Sequence, residues 1–322
     1  MSEGTLLEAA EAIREAESIA LACHVGPDGD ALGSMVGLGI AAVNAGKKVV
    51  ASYGSPYGDL GSLSFLPTDL LVPPGKFPST PDMMIVLDAG SADRLGELAG
   101  NAGKAQTLIV LDHHVTNGGF GDISVVDGQA AATGELVFDL LEILGWPVTE
   151  TIAQCLHTAL MTDTGRFTYA NTTGRTLEIG AALMDAGADP TEIGRHVYEE
   201  SPFGYLKVAS VALDRAELNE PLRLVSTYIT QADLTKASVD WGDIDNLIDT
   251  IRLAVEADTA VLAKVHADGR VKVSMRSRGD TNVGGLADSL GGGGHRLAAG
   301  FTVEKPVEEV LETVRGLIED HR

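Results

Sequence analysis

Four short apolar runs of strand character, Ile19 to His24, Lys47 to Tyr53, Met83 to Asp88 and Thr107 to Asp112, constrain this chain more than any other feature. Between the first two lies a Gly/Ala-rich segment, Ala31 to Ala45, whose apolar residues recur at helical spacing. Strand and helix alternate, which predicts an α/β layer on a largely parallel sheet. Three of the four runs end on His24, Asp88 and Asp112, so polar groups gather at the carboxyl ends of the strands. In open α/β sheets that edge is where ligands bind.

From Ala131 onward the pattern turns helical, with segments Ala131 to Leu144, Glu150 to Met161 and Thr173 to Met184, the last followed by Gly187 as a C-cap. Asp189-Pro190 and Ser201-Pro202 punctuate two further amphipathic segments. A second series then begins: a strand-like run from Leu222 to Ile229, a helix around Ile244 to Val255, and two strands flanking the hairpin signal Asp268-Gly269. A short helix, the run Gly291 to Gly294, a strand near Ala299 to Val303 and a terminal helix from Pro306 complete it. The expected organisation is a catalytic α/β domain over 1–188, a helical linker over 189–220 and a smaller α/β domain over 221–322. Domains of about 100–200 residues make two the natural number for this length.

Charge and composition narrow the setting. With 46 acidic against 23 basic residues the net charge is −23, which repels a long polyanion and argues against long duplex DNA as a partner. The polar, acidic N-terminus has no basic-then-apolar pattern, and no apolar run reaches the roughly 18 residues of a membrane span. Cys23 and Cys155 each sit in an apolar stretch, where reduced core thiols and a cytoplasmic compartment are the expectation.

A minority of the aspartates falls where periodicity does not call for it. His24 stands at a strand end, and the turn behind it, Val25-Gly26-Pro27, leads to Asp28 and Asp30, two apart and able to hold different ions. Asp88 ends one strand and Asp112-His113-His114 another. Asp163 follows a predicted helix, where a carboxylate opposes the helix dipole. Together His24, Asp28, Asp30, Asp88, His113 and Asp163 offer two nitrogens and four carboxylates, a donor set that suits Mn²⁺ better than Zn²⁺ or Mg²⁺. Two divalent cations would neutralise the four carboxylates, share one of them, and activate a water for in-line attack at phosphorus.

The segments HVGPDGDALGS, VLDAGSAD, VLDHHVTN and ALMTDTGRF resemble, in order, the four motifs of the DHH phosphoesterases. SMRSRGD followed by GGGGHRLAAG is similar to the C-terminal domain associated with the RecJ-like and nanoRNA-degrading members, and the whole chain resembles the NrnA-type oligoribonucleases that also act as pAp phosphatases. Actinobacterial relatives of that type hydrolyse cyclic dinucleotides. The resemblance implies that His24 and Asp28 ligate one ion, that Asp30, His113 and Asp163 ligate the other, and that Asp88 bridges them. It implies a phosphate contact for His114, with Asp112 fixing its tautomer. Arg276, Arg278 and His295, with Gly293 and Gly294 of the glycine run, match phosphate- or nucleotide-binding positions. Gly26, where bulkier polar residues are common, departs from the pattern.

The expected activity is thus metal-dependent hydrolysis of phosphate esters in nanoRNA, linear dinucleotides such as pApA or cyclic di-AMP, and of pAp to AMP. The metal is Mn²⁺, with Mg²⁺ or Co²⁺ as substitutes, and the second domain binds the substrate. The protein is expected to be a homodimer with no membrane partner. Three rivals stand beside this reading. A pyrophosphatase-like enzyme leaves the GGGGH element and its upstream arginines without a use; a non-catalytic nucleotide sensor should lack ligands, and none is lacking; a processive exonuclease needs a longer basic track. Four histidines take plainer readings: His157 as a satisfied core residue, His196 on an amphipathic helix, His266 and His321 facing solvent. Ser34 either bonds near the first motif or packs against the sheet, and Arg166 either reaches a phosphate or forms a surface salt bridge.

Overall fold

The computed structural model describes residues 3–58 and 60–320, so His321 lies outside the described residues. The chain divides into two compact units that meet between Glu199 and Glu200. In the first unit the order is α1 (Glu3–Glu15), β1 (Ser18–Cys23), α2 (Gly29–Asn44), β2 (Lys48–Tyr53), β3 (Met83–Leu87), α3 (Ala99–Ala102), β4 (Thr107–Asp112), β5 (Ile123–Val126), α4 (Thr133–Leu144), α5 (Glu150–Asp163), α6 (Gly174–Asp185) and α7 (Pro190–Gly194). Among the described residues its sheet has five strands, all parallel, in the order β2-β1-β3-β4-β5. The four predicted strands are present within a residue of their expected ends. β5 escaped prediction because Ile-Ser-Val-Val is too short to show a period.

Parallel strands need cover on both faces. Ile19, Leu21, Ile85, Leu87, Ile109 and Leu111 pack beneath α1, α2 and α4. The alternate residues Ala20, Ala22, Met84, Val86, Leu108 and Val110 pack against Leu95, Leu98 and Ala102. The Gly/Ala content of α2 has a packing cause. Gly29, Gly33 and Gly37 recur every fourth residue, so they share one helix face, and that face lies on α5. A Cβ at Gly29 would strike Thr162, one at Gly33 the carbonyl of Cys155, and one at Gly37 would meet Leu156 at 3.1 Å. The two helices run antiparallel with their backbones in close approach. This brings the start of α2, with Asp28 and Asp30, to the end of α5, where Asp163 lies in the last turn.

The segment 189–220, expected as a linker, divides between the units. α7 packs on α5 in the first, and the helix after Pro202 packs in the second. The second unit comprises α8 (Phe203–Asp214), β6 (Glu217–Asn219), β7 (Leu224–Thr230), α9 (Gln231–Ala237), α10 (Leu247–Ile251), β8 (Thr259–Val265), β9 (Val271–Ser277), α11 (Val283–Ser289), β10 (Gly293–His295), β11 (Ala298–Val303) and α12 (Val307–Asp320). Its described sheet has six strands, β10-β11-β9-β8-β7-β6, antiparallel except for β7 with β8. α10 is shorter than the predicted 244–255. Helical apolar spacing holds for Ile244, Leu247, Ile248 and Ile251, all buried, while Leu253 and Val255 are exposed. On one sheet face Val271, Val273 and Met275 pack against α11 and α12, and on the other Ala260 and Leu262 pack beneath α8 to α10. Among the described residues no helix is long and apolar enough to cross a membrane. Cys23 and Cys155 are free thiols in the core, and burial pushes Cys155 up to about 12.

Candidate metal centre

Cys23, Leu87 and Leu111 occupy one register row of three adjacent strands. The residues that follow them, His24, Asp88 and Asp112, therefore stand side by side at the carboxyl edge of the sheet. The chain turns sharply at Asp88, whose φ of 55° is left-handed, a conformation that aspartate tolerates better than most residues. Its N–H still donates to the Leu111 carbonyl at 3.0 Å.

Two sets of ligand atoms are centred on His24 and His113. His24 Nε2 lies 3.6 Å from Asp28 Oδ2 and 3.6 Å from Asp88 Oδ2. His113 Nε2 lies 3.7 Å from Asp30 Oδ2, 3.6 Å from Asp88 Oδ1 and 3.6 Å from Asp163 Oδ2. These separations exceed hydrogen-bond length and suit ligands ranged around a cation. Asp88 thus turns one oxygen to each group. Either group could hold a metal ion, and the donors, imidazole and carboxylate, fit a hard-to-borderline divalent cation.

The electrostatics agree with that fit. Burial, and then the charges of neighbouring carboxylates, push Asp30 and Asp163 well above the usual carboxylate range. Withdrawal from water lowers His24, yet the neighbouring carboxylates Asp28 and Asp88 raise it well above the ordinary imidazole value. Acidic groups crowded this closely take up protons or cations.

His114 belongs to a different arrangement. Its Nδ1 donates to Asp112 Oδ1 at 2.7 Å, and Asn117 Nδ2 donates to Asp112 Oδ2 at 2.6 Å and to the Ala89 carbonyl at 3.2 Å. Burial alone would raise Asp112, but the His114 and Asn117 hydrogen bonds bring it below its usual value. An ionised, fully buried Asp112 keeps the proton on Nδ1 and directs Nε2 away from itself.

Three partners were not apparent in the sequence. Thr133 N donates to Asp30 Oδ2 at 2.7 Å, Gly134 N to Asp30 Oδ1 at 3.0 Å, and the Thr133 hydroxyl to Asp88 Oδ1 at 3.1 Å. Asn117 is the third. The threonine heading a predicted helix and the Asn after the His pair were the available signals. Ser34 takes the first of its two readings, donating to Asp30 Oδ1 at 2.9 Å.

In the second unit His295, Ala298 and Arg276 form one register row across β10, β11 and β9. Directly paired residues of antiparallel strands share a face, so Arg276 and His295 flank Ala298 on the same side. Arg278 lies beyond the end of β9, which stops at Ser277. Arg278 Nη2 donates instead to the carbonyls of Ala254 at 2.6 Å and Ala257 at 2.9 Å. Gly293 and Gly294 belong to β10, paired with Gly300 and Ala299. A Cβ at Gly294 would meet the Ala298 carbonyl at 2.6 Å.

The plainer readings need adjustment. His157 is buried, but its Nδ1 has no hydrogen-bond partner; the ring meets Phe167 edge-on. His266 lies tilted against Trp241, with ring centroids 4.5 Å apart, and is half-buried, not solvent-facing. His196 stacks on Phe65, and the Arg166 guanidinium lies 4.6 Å over the Tyr198 ring.

Six side chains that could hold metal ions thus gather at the carboxyl edge of a parallel sheet, beside a histidine hydrogen-bonded to a buried aspartate. The chain belongs to the DHH family and is a phosphoesterase: residues 18–160 match the DHH N-terminal domain and residues 223–320 match the DHHA1 domain. It is 33% identical, over 95% of its length and 92% of the relative's, to the bifunctional oligoribonuclease and PAP phosphatase NrnA of Thermus thermophilus. The Bacillus subtilis protein of the same description is 27% identical over 95% of this chain and 96% of its own. An exopolyphosphatase-related protein from Bacteroides fragilis shares the fold, with a TM-score of 0.91 at 23% identity over 99% of this chain and 97% of that one.

Proposed function

We propose that the protein hydrolyses phosphate esters of very short oligonucleotides, nanoRNA and linear dinucleotides such as pApA among them, with cyclic di-AMP a further substrate, and converts pAp to AMP. The observation that carries this reading is the orientation of Asp88, which turns Oδ2 toward His24 and Oδ1 toward His113. A carboxylate so shared suits two ions bound close together. In this reading His24 and Asp28 would hold one ion, Asp30, His113 and Asp163 would hold the other, and Asp88 would serve both. Mn²⁺ is the ion we assign, with Mg²⁺ or Co²⁺ able to replace it. When bound, such a pair makes water nucleophilic near neutral pH and offsets charge on the phosphoryl oxygens. His114, oriented by Asp112, presents Nε2 to the scissile phosphate and binds or protonates the transferring group.

Arg276 and His295, with the Gly293–Gly294 backbone, bind nucleotide phosphate in the second domain, where the planar guanidinium suits bidentate contact. A net charge of −23 disfavours long strands, so short substrates should be preferred. A cytoplasmic setting and a homodimer belong to the same reading. The test is a panel incubated with Mn²⁺-loaded protein, with products separated by chromatography: pAp, pApA, cyclic di-AMP, oligoribonucleotides of increasing length, and pyrophosphate. Turnover should be fastest on pAp or on chains of a few nucleotides. A rate that grew over tens of nucleotides, or turnover of pyrophosphate alone, would refute it.

A further inference from the structure

We infer that Thr133 is a positioning residue for the metal centre, setting the orientation of Asp88 and Asp30 together and so the affinity of the site for divalent ions; this rests on the metal-pair reading above. Helix α4 begins without the usual side-chain cap. A helix leaves its first N–H groups without intrahelical acceptors, and an N-cap Ser, Thr, Asp or Asn commonly supplies one. The N-cap of α4 is Ala132, which has no side-chain acceptor. Asp30, 103 residues earlier in the chain, takes that role by accepting from Thr133 N and Gly134 N on separate oxygens. A carboxylate at this end of a helix is also favoured by the helix dipole.

The head of α4 is held in place. A Cβ on Gly134 would come within 2.8 Å of Ala159 Cβ, so the first turn of α4 lies directly on α5. Thr133 is fully buried there. Its hydroxyl donates to Asp88 Oδ1, the oxygen that also faces His113. One residue therefore serves two carboxylates, Asp30 through its backbone and Asp88 through its side chain. The hydroxyl occupies part of the acceptor capacity of Asp88 Oδ1 and so restrains the rotation of the carboxylate, the same oxygen facing His113 Nε2 at 3.6 Å and His114 Nδ1 at 3.5 Å. Hydrogen-bond partners behind metal ligands commonly carry about 10–100-fold in metal affinity.

Two substitutions separate this role from packing. Thr133→Val keeps the shape and the backbone N–H but loses the hydroxyl; Thr133→Ser keeps the hydroxyl and loses a methyl. The readout is Mn²⁺ binding by titration calorimetry on the full chain, with the Mn²⁺-induced rise in melting temperature as a second measure. Thr133→Val should bind Mn²⁺ about 10–100-fold more weakly and show a smaller rise, while Thr133→Ser stays near wild type. If Thr133→Val fails to fold, Thr133→Ala takes its place against Thr133→Ser. Unchanged Mn²⁺ affinity in the hydroxyl-free variant would overturn the inference while leaving the metal-pair reading intact. Equal loss in both variants would overturn it in favour of packing. A wild-type chain that bound no Mn²⁺ would instead remove the metal-pair reading on which it stands.

Discussion

The His114 imidazole donates from Nδ1 to Asp112 Oδ1 at 2.7 Å, whereas His113 Nε2 lies 3.6 Å from Asp88 Oδ1 and 3.6 Å from Asp163 Oδ2. Adjacent histidines thus meet their carboxylates in two ways, one hydrogen-bonded and one spaced as a ligand. His114→Ala should lose most turnover and keep its metal, and Asp88→Ala should lose metal as well. Elemental analysis of the purified variants checks this; equal metal content in both would contradict the division of roles.

Removing metal should lower stability. The metal-free centre crowds four carboxylates together, which must take up protons or cations. An ion bound only by the folded state contributes about 2.7 kcal/mol at one hundred times its Kd. Exhaustive chelation is expected to lower the melting temperature and abolish turnover, with both restored by Mn²⁺. Unchanged melting and turnover after chelation would count against a metal centre.

Backbone contact between α2 and α5 can be probed at Gly33. A methyl there meets the Cys155 carbonyl, and overpacking of this kind costs about 1–3 kcal/mol or more. Gly33→Ala should reduce stability and weaken metal binding together, because α2 carries Asp30 and α5 carries Asp163. Gly316→Ala in α12, with open space around it, should be neutral or stabilising by up to about 1 kcal/mol. Urea unfolding of the pair makes the comparison.

The arginines of the second unit should separate. Replacing Arg276 and His295 by alanine should lower kcat/KM for dinucleotides by about 10–1000-fold with bound metal unchanged. Arg278→Ala removes the donor to the Ala254 and Ala257 carbonyls, so its main effect should be on melting temperature. Steady-state kinetics beside thermal melts distinguish the two.

Acid should weaken one ion pair of the second unit in a predictable direction. Burial acts to raise Asp233, but Arg215, at 2.6 Å, and Thr230 hold it down to about 2. A folded pKa below the unfolded value means that the stabilisation is complete above about pH 4 and is lost as the pH falls toward 2. Asp233→Asn should therefore lower stability at neutral pH, with the gap to wild type narrowing below about pH 4. A gap independent of pH would show that the carboxylate charge is not the stabilising element.

The sequence by itself determined the parallel strands of the first unit and the chemistry at their ends. Apolar runs that stop on His24, Asp88 and Asp112 are local signals, as is the helix that ends on Asp163, and residue type alone announces a cation-binding set. Tertiary structure decided which atoms meet. The closeness of Asp30 to Asp163 depends on three glycines letting α2 lie on α5, and the cap on α4 comes from a carboxylate 103 residues away. Asn117 behind Asp112 and Thr133 behind Asp88 leave no periodic trace, because a hydrogen bond between distant segments imposes no pattern on either one. Arg278 shows the converse. The family resemblance grouped it with Arg276 as a phosphate contact, and the fold ended β9 at Ser277 and gave its guanidinium two backbone carbonyls. Periodicity reports which face a residue takes within an element; where the element stops, and what waits across the gap, is settled only by packing.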